Sequence, residues 1–429
     1  MKYLLPGLLS ACIISSLAHA DVQLIAMGEI NAAYQDLSVK TSAALENGVA
    51  GNILGGLGSG LAYAGGNTFL ALPDRGPNAV SYNADIDDTT SYIPRVQTLN
   101  LALAANPDYD ALVTGSMPYI LSPFLLRTTL LFSGKPLTYG TNGAPSLNTT
   151  HKSYFSGRAD NFNAANASTF PLNARLDPEA IRVSNDGKSV FITDEYGPYV
   201  YQFNRITGKR IKTFKLPAHF AVAKPTAQED TEIAGNTSGR TTNKGMEGLA
   251  ITPDGSMLVG MMQANLLQDT KKYLRIVTID IATGATKQYA YLLTDGSGVS
   301  EIVAINNHEF LVDERDGKGL GDDSDAVAKK IFKIDLNGAT DVSQIASLDA
   351  SSPVVSKTLF LDLVTALNTA GISAADVPAK IEALAFGPDL EINGVTKHTL
   401  FIANDNDFLP SLTDSLHPNG VANPNGVGA

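Results

Sequence analysis

Four glutamates in this sequence each stand at the start of a short apolar run. They are Glu179, Glu247, Glu301 and Glu382, and each run continues through a turn rich in Asn, Asp or Gly into a second apolar run. Carboxylates gathered in one place can bind a hard cation such as calcium, and a bound cation could hold a phosphate and stabilise its transition state. These four glutamates are therefore our candidate catalytic residues.

A second set of charged residues follows the second apolar runs. The candidate metal ligands are Asp74, Asp194, Glu195, Glu314, Asp405 and Asp407, with Asp313 beside them. The candidate substrate-binding cations are Arg75, Lys244 and Arg315, and Lys380 is a further neutralising charge. A carboxylate at such a junction can instead accept backbone N–H bonds and only tie the chain together. That structural role stays open for each acid, and Arg75 and Arg315 fit salt bridges between structural units equally well.

The elements that must position these residues form a repeat. Copies of the pattern occur near residues 58–75, 177–195, 245–261, 300–315 and 380–405, and several continue with two more strand-like runs. Four antiparallel strands per unit are typical of an all-β, β-propeller fold. We count five blades, and residues 105–175 leave room for a sixth. In a propeller, the first strand of each blade begins at one rim near the axis, and the second strand ends at the same rim. The charged residues should therefore meet there.

The ends of the chain and one insert give further expectations. Residues 22–26 resemble a strand that completes the last blade, which gives a propeller domain over residues 21–410. The stretch at about 358–370 predicts a short helical insert before that blade. The Asn-, Pro- and Gly-rich tail, residues 411–429, is expected to be disordered.

Residues 1–20 have the features of a signal peptide. Lys2 precedes an apolar stretch, and Ala18-His19-Ala20 is a small-x-small cleavage site. Cleavage after Ala20 predicts a periplasmic or secreted protein without cysteine. The alternative is a lipoprotein anchored at Cys12, the one cysteine of the sequence.

Composition excludes several classes of function. The formal net charge of −12 argues against binding to nucleic acid, and no segment after residue 20 resembles a transmembrane helix. The six histidines form no pair with metal-binding spacing, and the sequence has no Gly-x-Ser-x-Gly motif. A small anionic substrate held by a few local cations or by a bound metal is compatible with this net charge, and partner proteins are unknown.

The order of the charged motifs is similar to that of the phytase-like family, known for "esterase-like activity of phytase". The resemblance extends over residues 52–408. The motifs that carry it are, in order, Asp74-Arg75-Gly76-Pro77-Asn78, Arg158-Ala159-Asp160-Asn161-Phe162, Asp177-Pro178-Glu179, Asp194-Glu195-Tyr196-Gly197-Pro198, Met246-Glu247-Gly248, Asp313-Glu314-Arg315, Ile381-Glu382-Ala383 and Asn404-Asp405-Asn406-Asp407-Phe408. Ala180 and Ala383 stand where the family usually has glycine. The resemblance implies a propeller that hydrolyses phosphate or other esters.

Together these observations predict an exported hydrolase of phosphate esters, assisted by calcium or a similar cation at the acidic rim. The alternative from a different class is a non-catalytic propeller that binds a ligand or a protein partner at the same rim. A metal-free carboxylesterase is a third possibility, for which the sequence shows no identifiable nucleophile.

Overall fold

The computed structural model describes residues 22–141, 143–166, 168–392 and 394–429, and in them five four-stranded antiparallel sheets form the blades of a β-propeller. The predicted signal peptide and Cys12 lie outside the described residues. In the described part of the chain no helix is long and apolar enough to cross a membrane.

The blades are numbered in chain order, and the strands of each are given from the first to the last in sequence. Blade 1 contains Gly60–Tyr63, Thr68–Leu72, Arg95–Ala105 and Tyr119–Leu130. Blade 2 contains Pro178–Val183, Ser189–Asp194, Tyr199–Asn204 and Arg210–Lys215. Blade 3 contains Met246–Ile251, Met257–Met262, Tyr273–Asp280 and Thr286–Leu292. Blade 4 contains Gly298–Ala304, Glu309–Arg315, Lys329–Asp335 and Lys357–Asp362.

Blade 5 is built from both ends of the described chain. Its strands are Met27–Ile30, Ile381–Phe386, Leu400–Asn404 and Asn425–Gly428. The expected N-terminal strand is therefore present but lies at residues 27–30 rather than 22–26. The expectation of a disordered tail is wrong for residues 425–428, because this segment pairs on both sides and the Asn425 side chain donates to the carbonyl of Leu54 at 3.0 Å.

The suggested sixth blade does not form from the described residues of the segment 105–175. Tyr119–Leu130 is instead the outer strand of blade 1, where it pairs along the long strand Arg95–Ala105. Phe132–Ser133 and Ser153–Tyr154 form only a small two-stranded sheet. Two similar small sheets join Leu390–Ile392 to Val395–Lys397, and Ser411–Leu412 to Val421–Ala422.

The described residues contain two α-helices, Glu229–Gly235 and Leu363–Thr369, and three 3-10 turns, Val39–Thr41, Ala84–Ile86 and Ala218–Phe220. The helix predicted at about 358–370 is thus half its expected length, because Lys357–Asp362 is the outer strand of blade 4. The side chain of Asp362 caps the helix by accepting a hydrogen bond from Thr365 N at 3.1 Å.

The core consists mainly of five apolar clusters, each between two neighbouring blades. Between blades 2 and 3, for example, Phe191 and Val200 pack with Leu249, Leu258 and other apolar side chains. Each blade is therefore covered by apolar contacts on both faces, which explains why its middle strands read as continuous apolar runs. These contacts fix the blades around one axis and so position the side chains at its end.

Candidate metal and substrate site

A β-bulge near the start of the inner strand positions the glutamates. In blade 3, Glu247 is the extra residue between Met246 and Gly248 in the pairing with the second strand. Glu382 is the extra residue in blade 5, and Glu179 lies in the corresponding irregular stretch of blade 2. A bulge re-aims a side chain out of the regular alternation of the sheet, and these three glutamates therefore occupy equivalent positions.

The prediction that Glu301 is a fourth equivalent residue is wrong. In blade 4 the extra residue between Val299 and Glu301 is Ser300. Glu301 lies one residue further along the inner strand, and in blade 1 the residue before the inner strand is Ser59. Three blades thus contribute glutamates to the rim, and two contribute serines.

Glu301 instead takes part in an ion pair inside the propeller. Its Oε2 lies 2.9 Å from Arg182 Nη2, and its Oε1 accepts the backbone N–H of Leu249 at 3.0 Å. The Arg182 guanidinium also donates to the carbonyl oxygens of three other inner strands, at Leu61, Ile302 and Leu384. This pair therefore links the inner strands of all five blades and has a structural role.

The closest group of carboxylates lies in blade 2. One oxygen from each of Asp177, Glu179 and Glu195 lies within 4.8 Å of the others. The fold brings them together because Asp177 immediately precedes the inner strand, Glu195 immediately follows the second strand, and the backbone N–H of Glu195 donates to the Asp177 carbonyl at 2.8 Å. We call these three residues the carboxylate triad.

Two members of the triad also have protein partners. Asp177 Oδ2 lies 2.8 Å from Arg75 Nη1, and its Oδ1 accepts the backbone N–H of Arg75 at 3.2 Å. Glu195 Oε1 accepts the backbone N–H of Gly245 at 2.6 Å. Glu179 makes no ion pair among the described residues and lies near the carboxyl group of Glu247. Within the described part of the chain, the three acids of the triad thus share one ion-paired cation, Arg75.

Burial makes this concentration of acids costly. It raises the pKa of Glu179 and of Glu247 well above the usual range, and the charges of neighbouring carboxylates add to the effect. Burial also raises the pKa of Glu195 to about 7. Asp177 raises the pKa of Arg75 even though burial works against its charge. Oxygen donors held this close fit a hard divalent cation, which would relieve their repulsion.

Three further acids continue the site into blade 5, with two cations between them. Lys380 Nζ is bonded to Asp405 Oδ2, lies 2.8 Å from Asp407 Oδ1 and lies 3.8 Å from Glu382 Oε1. Arg315 Nη2 is bonded to Glu382 Oε1, and its Nε donates to a serine hydroxyl at 2.6 Å. Burial raises the pKa of Asp405 to about 6. Arg315 and Lys380 therefore neutralise part of the negative charge of these acids, as the sequence analysis expected.

Asp74 joins the two halves of this arrangement. Its Oδ1 accepts the backbone N–H of Gly76 at 2.9 Å, and its pKa is raised strongly by burial and by the charge of Asp405. We call the following side chains together the axial site: Asp74, Arg75, Asp177, Glu179, Glu195, Glu247, Arg315, Lys380, Glu382, Asp405 and Asp407. Eight carboxylates and three cations give it a formal excess of five negative charges.

Two of the predicted metal ligands have structural contacts instead. Asp194 Oδ1 accepts the backbone N–H groups of Asp177 and Tyr196, at 3.2 and 3.1 Å. Glu314 is fully buried, is bonded to Lys357, and accepts the Tyr291 hydroxyl at 2.5 Å. Both acids therefore hold loops and strands in place, as the alternative interpretation of such junction residues anticipated.

Two other residues also stand apart from the axial site. The Lys244 side chain is exposed and makes no ion pair within the described part of the chain. Asp313 is fully buried, and neither of its carboxylate oxygens has a hydrogen-bond partner among the described residues. Burial raises the pKa of Asp313 to about 7.

Sequence reasoning missed Asp177 as a candidate ligand. The usable signal was its position two residues before Glu179, at the point where the chain enters the inner strand. An acid at that point lies beside the end of the second strand, where Glu195 follows.

A five-bladed propeller with an acidic axial site defines the class of this protein, and comparison with known proteins gives the family. The phytase-like family, described as "Esterase-like activity of phytase", matches residues 52–408. Because this match covers most of the sequence, the chain belongs to the phytase-like family.

Individual proteins similar to this chain give less information about it than the family match does. An "Uncharacterized secreted protein" of Arthroderma benhamiae is 31% identical over 281 residues, which are 56% of this chain and 51% of that protein. The chain thus spans about half the length of this relative. Among solved structures, Kuenenia stuttgartiensis hydrazine synthase is 10% identical with a TM-score of 0.28, covering 67% of this chain and 65% of that one. Kluyveromyces lactis Hsv2 is 9% identical with a TM-score of 0.26, covering 71% and 60%.

Proposed function

We propose that this protein is an exported hydrolase of phosphate esters that acts at the axial site with calcium or a similar divalent cation. The observation that carries the proposal is the carboxylate triad, with its oxygens within 4.8 Å of one another beside Arg75. Membership of the phytase-like family supports ester hydrolysis as the reaction class.

The triad would hold the cation, because Asp177, Glu179 and Glu195 offer the oxygen ligands that calcium prefers. When bound, such a cation supplies a Lewis acid that polarises a phosphate oxygen and lowers the pKa of water. The net charge of the free site is strongly negative. A phosphate dianion would therefore be repelled unless part of that charge were neutralised.

The cations of the axial site would orient the substrate. Arg75 Nε is buried without a hydrogen-bond partner among the described residues, so it can donate to a phosphate oxygen while Nη1 stays on Asp177. Arg315 and Lys380, which pair with Glu382 and Asp405, can neutralise charge on the phosphate oxygens. Glu382, whose negative charge Arg315 stabilises, would then accept a proton from an attacking water.

Export is the second part of the proposal. It rests on the signal-peptide features of residues 1–20 and is supported by the relative that is described as a secreted protein. Calcium is abundant outside the cytoplasm, so an exported protein would meet the proposed cation at useful concentrations.

Hydrolysis of p-nitrophenyl phosphate tests the catalytic part. The purified protein should lose activity after treatment with a chelator and recover it with calcium chloride. Glu179→Gln should lower kcat/KM at least ~10-fold, or ~1.4 kcal/mol in the barrier. Asp186→Asn, which removes an exposed acid from the turn of blade 2, is the matched control and should keep full activity.

Two results would contradict the proposal. Calcium binding without hydrolysis of any phosphate ester would favour the non-catalytic propeller that binds a ligand or partner at the rim. Hydrolysis that is insensitive to both the chelator and Glu179→Gln would remove the cation and the triad from the reaction.

A further inference from the structure

Arg175 is a buried arginine without a carboxylate partner. It is 3% exposed, and among the described residues it makes no ion pair. The other arginines of the buried class each pair with an acid: Arg95 with Asp36, Arg158 with Glu46 and Asp160, Arg182 with Glu301, Arg240 with Glu232, and Arg275 with Asp269. An unpaired buried charge is costly, so an anion from outside the described chain is the expected partner.

The guanidinium of Arg175 is held rigidly in place. Its Nη1 donates to the carbonyl oxygens of Ala159 at 3.2 Å and Thr226 at 3.1 Å. Its planar group lies over the rings of Phe162 and Tyr196, with centroid distances of 4.1 and 4.9 Å. Nη2 is buried and has no hydrogen-bond partner among the described residues. A preorganised donor is thus left free for a ligand.

Arg175 lines a small cleft at the edge of the axial site. Ala159 and Thr226, which hold the guanidinium, line the same cleft. Arg75 and Glu195 form another part of its wall. A ligand in this cleft would therefore lie beside the carboxylate triad.

The charges of the cleft select the kind of anion. Arg75 and Arg240 already pair with Asp177 and Glu232, so Arg175 is, among the described residues, the one cation of the cleft that makes no ion pair. Asp87, Glu195 and Glu229 also line the cleft and would repel a dianion. Burial lowers the pKa of Arg175, in contrast to that of the paired Arg75, which is raised. A planar group with one negative charge fits these surroundings.

We propose that this cleft binds a carboxylate group of the substrate, which Arg175 Nη2 recognises. Together with the proposed hydrolytic function, on which this step rests, the site assigns a substrate class: phosphate monoesters that carry a carboxylate. The phosphate would lie at the axial site and the carboxylate at Arg175, with Arg75 and Glu195 between them.

The binding step is tested without catalysis, using acetate as the probe. Thermal unfolding is followed in sodium acetate and in sodium chloride of equal ionic strength. Acetate should raise the Tm of the wild type above its value in chloride, and the increase should disappear in Arg175→Gln. Arg210→Gln is the matched control, because Arg210 also lies over aromatic rings and donates to a carbonyl but does not line the cleft. It should keep the wild-type response.

Equal responses of all three proteins, or no acetate effect on the wild type, would overturn the carboxylate site. The wild-type measurement decides this point even if Arg175→Gln does not fold. Arg175→Lys then serves as the second variant, with a weaker acetate response expected because lysine lacks the planar group.

The substrate class is tested by hydrolysis. The wild type and Arg210→Gln should hydrolyse phosphorylated carboxylic acids of two to six carbons at least ~10-fold faster, in kcat/KM, than alkyl phosphates of equal length. This ratio should fall to about one in Arg175→Gln. Acetate binding without any hydrolysis would refute the proposed function and keep the carboxylate site. Hydrolysis without a preference and without an acetate response would refute the carboxylate site alone.

Discussion

The substitution Glu179→Gln perturbs the carboxylate triad most directly, because it removes one charge and preserves shape. Two unit charges 4.8 Å apart, which is the upper limit for the oxygens of the triad, repel by roughly 3 kcal/mol at an effective dielectric constant of about 20. Arg75 and partial protonation relieve part of this repulsion. We therefore expect the free energy of unfolding of the cation-free variant to exceed that of the wild type by about 1–3 kcal/mol.

Calcium should shrink this difference in the free energy of unfolding. A cation that binds only the folded protein stabilises it by about 2.7 kcal/mol at 100 times its Kd. Loss of one ligand charge should weaken binding at least ~10-fold, so the variant should gain ~1.4 kcal/mol less at the same calcium concentration. Denaturant unfolding at a series of calcium concentrations, with circular dichroism as the signal, measures both effects.

Asp186→Asn is the control for loss of charge as such. Asp186 is exposed at the far end of the same blade, so its variant should follow the wild-type calcium response. The reasoning is refuted if Glu179→Gln loses stability equally at every calcium concentration. Such a result would assign Glu179 to the structural role that remained open in the sequence.

Three other predictions concern different parts of the molecule. Glu301→Gln should lower the free energy of unfolding by about 3–5 kcal/mol in denaturant unfolding, because it leaves the charge of Arg182 buried without its acid. The free energy of unfolding of Asp313→Asn should decrease less with rising pH than that of the wild type. The pKa of Asp313 is about 7 in the folded protein and 3.8 in the unfolded chain, so between these pH values the folded state keeps a proton that the unfolded state has lost. The free energy of unfolding of the wild type therefore falls by roughly 1.4 kcal/mol per pH unit in this range. Intact-mass measurement of the exported protein should show a mature chain that begins at Asp21.

Each of these predictions has a contrary result. A loss of less than ~1 kcal/mol in Glu301→Gln would show that the pair does not hold the inner strands together. Equal pH slopes for Asp313→Asn and the wild type would show that this carboxyl is already charged at low pH. A lipid-modified N-terminus at Cys12 would replace the exported form with a membrane-anchored one.

The blades could be predicted because the sequence pattern of each hairpin involves only residues close together in the chain. An apolar run, an Asx-Gly turn and a second apolar run fix a hairpin, as in the turn at Asn185-Asp186-Gly187. The prediction of a sixth blade was wrong because the length of a strand is hard to read from the sequence. The strand Tyr119–Leu130 has twelve residues and belongs to blade 1. The last strand, Asn425–Gly428, was missed because it is held by backbone and amide hydrogen bonds rather than by an apolar pattern.

The error at Glu301 came from one residue of register. In three blades a small residue separates the glutamate from the next apolar residue, as in Glu247-Gly248-Leu249, whereas Glu301 is followed directly by Ile302. That spacing was visible in the sequence and places Ser300 at the rim. The pairing of Glu301 with Arg182 was not visible, because it joins blades that are far apart in the chain. The same holds for the free donor of Arg175, which depends on side chains from several loops.

Anomalous diffraction from crystals soaked in calcium tests the central claim most directly. The account predicts a peak at the carboxylate triad, with oxygens of Asp177, Glu179 and Glu195 at about 2.3–2.6 Å, and no such peak in Glu179→Gln. A fully occupied calcium ion elsewhere on the molecule, with the triad empty in the same crystal, would contradict it.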